Sequence, residues 1–216
     1  MAERLFVDLY DRVTDPQPQV RGVNDEDDGP FFDLNTRNFA DKAARVMIRQ
    51  GPDYRVGDHV QFLDKAQPHN TNVVCVDPDI TPNGDANLND VLNSGNFADR
   101  AAALAFVLNP NADGAFRLRV RLYDTLQQAD ELPSLVLYDW QADGNQVVDL
   151  QPFFFVRKAA KVGVDMMPGV EAGPHVGVFL QEILNVDSGN PIAPSRAVDL
   201  TPLGTFKKVV AVHFWT

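Results

Sequence analysis

NFADKAARVMI at residues 38–48, NFADRAAALAF at 96–106 and FFVRKAAKVGV at 154–164 carry one pattern. Phe39, Phe97 and Phe155 stand at even intervals. Each is followed three residues on by a base (Lys42, Arg100, Lys158) and then by two alanines. TFKKVVAVHF at 205–214 repeats the pattern more loosely, with Lys208 in the basic position and the apolar residues kept after it. Recurrence on this scale marks one supersecondary unit used four times.

A second element precedes each copy: LFVDLYD at 5–11, HVQFLDK at 59–65, RVRLYDT at 119–125 and VGVFLQE at 176–182. Their alternating Val, Phe, Leu and Tyr residues read as half-buried strands. Between the two elements lie turns rich in Gly, Asp and Asn: NDEDDG at 24–29, TPNGDAN at 81–87, QADGN at 141–145 and VDSGN at 186–190. One unit then predicts strand, connection, strand, acidic turn, short strand, a tight turn at FADKAA and a final strand. Asn38 followed by Asp41 offers a helix cap as a local alternative. No unit of this size buries both faces of its sheet alone, so the units must pair. The expected fold is all-β, with two antiparallel Greek-key β-sandwich domains. The turn-forming segment NPNADGA at 109–115 supplies the boundary, giving domains 1–112 and 113–216.

The LYD strands (Tyr10-Asp11, Tyr123-Asp124), the stretch DLQPFFFVRKAAKVGV from Asp149, and FADK or FADR before an apolar strand resemble the βγ-crystallin superfamily. The resemblance covers nearly the whole chain and implies paired four-stranded Greek-key motifs. A C2-like or jelly-roll sandwich is the alternative fold. That family's calcium signature is two adjacent Asp or Asn residues, two free positions, then Ser or Thr and Ser. The matching positions here read Ala40-Asp41-Lys42-Ala43-Ala44-Arg45 and Ala98-Asp99-Arg100-Ala101-Ala102-Ala103. The hydroxyl ligand and one acid are replaced, so the resemblance does not carry calcium through this motif.

A separate cation candidate is DITPNGDANLND at 79–90. Asp79, Thr81, Asn83, Asp85, Asn87 and Asp90 present oxygens at the spacing of an EF-hand or dockerin-type loop, with Gly84 at the sharp turn, and calcium is the hard cation such a set would take. The alternative reading is an Asx-rich turn between strands.

A net charge of −11 with no clustered Lys or Arg argues against a nucleic-acid partner. No apolar run approaches the ~20 residues of a membrane span, and no basic-then-apolar leader opens the sequence, so a cytoplasmic protein is expected. Cys75, alone in the run NVVCV, reads as a buried structural thiol. The four histidines, His59, His69, His175 and His213, are scattered. Ser94, Ser134, Ser188 and Ser195 form no nucleophile elbow. The expectation is therefore a non-enzymatic structural or self-assembling protein, with a calcium- or ligand-binding module as the alternative. If Phe153, Phe154 and Phe155 form a strand, at least one ring faces away from the core. The terminal strand with Phe214 and Trp215 closes a sheet or adds to a neighbour's sheet edge to build a homo-oligomer.

Overall fold

The alternating segments become strands in a computed structural model, which describes residues 3–64, 73–88, 101–142, 147–153, 155–166, 175–179, 183–184, 198–199, 209 and 211–215. Among these residues the only helical elements are short 3-10 turns, and no helix is long and apolar enough to cross a membrane. The chain divides into two compact units, residues 1–114 and 115–216.

In the first unit, strands β1 (Leu5–Tyr10), β2 (Val20–Asn24), β3 (Phe31–Asp33), β4 (Arg45–Gln50), β5 (His59–Leu63), β6 (Val73–Val76), β7 (Asp85–Asn87) and β8 (Ala103–Val107) form two antiparallel sheets. Their orders are β2-β1-β4-β7 and β3-β8-β5-β6. The third strand of each repeat thus leaves its own sheet and joins the other. The second unit repeats this. Its strands are β9 (Leu118–Tyr123), β10 (Leu135–Tyr138), β11 (Val147–Asp149), β12 (Lys161–Met166), β13 (His175–Phe179), β14 (Ile183–Leu184), β15 (Val198–Asp199) and β16 (Ala211–Trp215), in the orders β10-β9-β12-β15 and β11-β16-β13-β14. We call the β1 and β9 sheets A and C.

Period-two patterning explains which side chains go inside. Leu5, Val7 and Leu9 of β1 are fully buried, as are Val60 and Phe62 of β5 and Leu118, Val120 and Leu122 of β9. Burying each such side chain contributes about 1.5–3 kcal/mol. Cys75 is fully buried and, as the one cysteine of the sequence, forms no disulfide within the chain.

The FADKAA signature is a tight turn whose hydrogen bonds recur. Phe39 N–H donates to Leu34 O (3.0 Å) and Phe155 N–H to Leu150 O (3.1 Å), and both rings are buried. Two residues on, Asp41 and Arg157 take left-handed φ values of 57° and 58°. Their amides donate to Ala101 O and Val209 O in the other repeat of the same unit. Ala44 and Ala160 then tie back to Tyr10 O and Tyr123 O. The two alanines of each turn, Ala43-Ala44 and Ala159-Ala160, are buried. Asn38 starts no helix. It closes the 3-10 turn Leu34–Arg37 from the far side at φ 54°, and Asp33 caps that turn by accepting from Asn35 N–H.

Two expectations change. Gln151–Phe153 form a turn and Phe155 lies buried just outside any strand, so the triple-phenylalanine segment does not obey strand alternation; Phe154 lies outside the described residues. The terminal strand β16 sits between β11 and β13, with both of its edges already paired. Along residues 211–213, therefore, neither edge is open to a neighbouring sheet.

Candidate functional site

The segment after β6 is built from local backbone contacts. Asp77 O accepts from the amides of Ile80 (2.9 Å) and Thr81 (2.7 Å), and its carboxylate accepts from Asp79 N–H at 2.8 Å. This is the Asx geometry that short acidic turns favour. Asn83 and Gly84 follow with φ of 58° and 64°, and β7 begins at Asp85.

Five of the six candidate cation ligands are therefore spread along a turn, a 3-10 segment and a strand. Asp79 accepts Gly57 N–H at 2.8 Å. Thr81 is buried and Asn83 is exposed. Asp85 holds the Arg45 guanidinium through two bonds of 2.7 and 2.6 Å. Asn87 stands opposite Arg45 in the β4–β7 ladder, and Asp90 lies outside the described residues. Among the described residues no three His, Cys, Asp or Glu side chains are grouped to hold a metal ion. Asp79 does lie near Tyr54, whose hydroxyl is held protonated by burial and by the carboxylates of Asp79, Asp77 and Asp58.

Gly84 has a packing role of its own. A Cβ there would lie 2.1 Å from Ile48 O, a backbone atom of β4, and the left-handed φ adds strain. Gly84→Ala is expected to destabilise the first unit by about 2–3 kcal/mol, read as a lower urea midpoint with an unchanged slope.

A second cluster gathers just before β5, and no sequence motif announced it. The fully buried Asp58 accepts from Arg4 Nε (2.8 Å), Arg4 Nη2, Arg55 N–H (2.8 Å) and Asn109 N–H (2.7 Å). Burial pushes its carboxyl up from the ordinary range, against the pull of these donors. Arg4 Nη2 also donates to Asn109 O, and Arg55 Nη1 to the carbonyls of Asn109, Pro110 and Asn111. A cleft of about 590 Å³ opens beside it, lined among others by Arg4, Asp25, Glu26, Tyr54 and Arg55. With both guanidiniums bound to protein oxygens, the arrangement ties the chain's start, the turn before β5 and the segment after β8 together.

The third cluster covers the outer face of sheet C. Arg121 donates through Nε and Nη2 to Asp165 (2.9 Å each), and through Nη1 to Tyr123 Oη (2.7 Å) and Asp130 O (2.8 Å). Arg119 Nε reaches Asp165 at 2.8 Å. Lys161 Nζ bonds Gln128 O and Asp130 Oδ1 and lies 4.4 Å from the centre of the Tyr123 ring. Burial pushes the Asp165 carboxyl up, but Arg119 and Arg121 pull it further down, leaving it below the ordinary carboxylate value. Gly163 makes room, because a Cβ there would approach Arg121 Nη2 to 3.0 Å. The loop between β9 and β10 is thereby strapped onto the sheet through Gln128 and Asp130.

Comparison of the chain with protein-family models, with curated proteins and with solved structures finds no match.

Proposed function

We propose that this is a non-enzymatic structural, self-assembling protein made of two Greek-key sandwiches of the βγ-crystallin kind. The observation that carries the reading is the identical strand order of both units, in which each repeat hands its third strand to the other repeat's sheet. That exchange is how paired Greek-key motifs interlock. The polar clusters support the same reading, because their charges are used on loops and turns of the protein itself. An edge for assembly is offered by β3, which among the described residues pairs with β8 alone and exposes Phe31 at 46%.

A second reading is a calcium- or ligand-binding module, for which the Asp77–Asp79 turn brings two carboxylates close in the chain. Size in solution across a concentration series, with calcium and with chelator, separates the two. The structural reading expects concentration-dependent association that ignores chelator and weakens in Phe31→Lys. A single monomeric species at every concentration would overturn it. Calorimetric binding and a higher melting temperature with calcium, both lost in Asp79→Ala with Asp90→Ala, would establish the second reading.

A further inference from the structure

Sheets A and C carry the same outer-face ion pair with its polarity reversed. β1 pairs with β4 and β9 with β12 in one shared register. Phe6 faces Arg49, Asp8 faces Met47 and Tyr10 faces Arg45; correspondingly Arg119 faces Asp165, Arg121 faces Gly163 and Tyr123 faces Lys161. A base over the tyrosine ring recurs, Arg45 at 4.6 Å and Lys161 at 4.4 Å. One diagonal step along, Asp8 of β1 binds Arg49 of β4 at 3.1 Å, whereas Arg121 of β9 binds Asp165 of β12 at 2.9 Å. Acid and base have traded strands.

We propose that this reversal is a partner lock that keeps the strands of one unit from pairing with those of the other during folding. Tandem units of similar sequence are prone to such misassembly. A recognition element discriminates as much by its penalty on the wrong partner as by its gain on the right one.

The penalties follow from the shared register. β1 on β12 sets Asp8 diagonal to Asp165, two carboxylates where each native sheet has an ion pair. β9 on β4 sets Arg119 directly opposite Arg49 and Arg121 diagonal to it. It also puts the Met47 side chain where Arg121 needs the space that Gly163 leaves. Like charges facing each other across strands destabilise pairing. The tyrosine and base positions are interchangeable between the sheets and supply no discrimination, so the choice rests on Asp8, Arg49, Arg121 and Asp165, with Arg119 and the Met47/Gly163 contrast beside them.

The test is the full chain carrying Asp8→Arg with Arg49→Asp, which keeps an ion pair in sheet A but gives it the polarity of sheet C. Refolded from denaturant at rising concentration, it is expected to yield a misassembled fraction about fivefold or more above the parent. That fraction is read as dimers and larger species by light scattering and as monomers with a reactive Cys75 thiol. Asp85→Ala, which removes the partner of Arg45 and leaves the lock alone, is the stability control and should refold like the parent. Equal yields from the swapped variant and the parent would overturn the proposal. So would an Asp85→Ala chain that misassembles as much as the swap, since stability alone would then account for the effect. If the swap leaves no native protein, the converse change in sheet C (Arg119→Phe, Arg121→Asp, Asp165→Arg) is read against the same two criteria.

Discussion

Asp165→Asn is expected to destabilise the second unit by about 3–5 kcal/mol at neutral pH, the range for removing one partner of a buried ion pair. Asp165 neutralises both Arg119 and Arg121, whose side chains are only 14% and 4% exposed. Asparagine keeps the shape but turns a donor toward guanidinium groups that can only donate, and it leaves their charge uncompensated. The pH dependence distinguishes this from a packing defect. The folded carboxyl titrates below its ordinary value, so between the two pKa values the unfolded chain holds more protons and stability rises with pH. The contribution of Asp165 is complete above the unfolded pKa of about 3.9 and is lost as pH falls through the folded one. The gap between parent and Asp165→Asn, measured by urea unfolding from pH 7 downward, should stay constant to about pH 5 and close below pH 4. A gap that persists unchanged at low pH would mean that the effect is not the charge.

Asp58→Ala should cost the first unit a comparable amount, about 3–5 kcal/mol. It leaves Arg4, 13% exposed, without its carboxylate and takes the acceptor from the amides of Arg55 and Asn109. The loss should be local in hydrogen exchange, with the amides of Arg55 and Asn109 losing protection first and those of β9 unaffected. Arg4→Ala leaves the buried Asp58 carboxylate without its counter-charge. Protonation of Asp58, which burial already favours, offsets part of that loss, so Arg4→Ala is expected to cost less than Asp58→Ala. Equal losses would show that the two side chains act only as packing.

Strands were legible wherever one face meets the core, because burial imposes a period of two on the sequence. LFVDLYD and RVRLYDT each announced a strand in this way, and ARVMIRQ and AKVGVDM announced the strands that pair with them. The FADKAA turn was visible because its buried phenylalanine and small residues are demanded by close packing. FFF misled for the same reason inverted: three apolar residues suggest a strand, but a turn that drops one ring into the core needs no alternation. The polar clusters were not legible. Asp58 is one carboxylate among many, and its importance comes from Arg4 and Asn109, residues that the topology alone brings beside it. The spacing of residues 79–90 was real as spacing, yet Asp85 lies in a strand whose register delivers it to Arg45, a partner that no local pattern encodes.

The exchange of third strands also sets a timetable. On a chain emerging from the ribosome in order, β1, β2 and β4 appear early, but their sheet lacks its outer strand until β7 (Asp85–Asn87) is out, and β3 has no neighbour until β8 (Ala103–Val107) arrives. The first half of each unit must wait, incomplete, for the second. A nascent chain stalled between β4 and β8 would present an open sheet edge and an unpaired strand, which makes that interval the one in which a chaperone has most to shield.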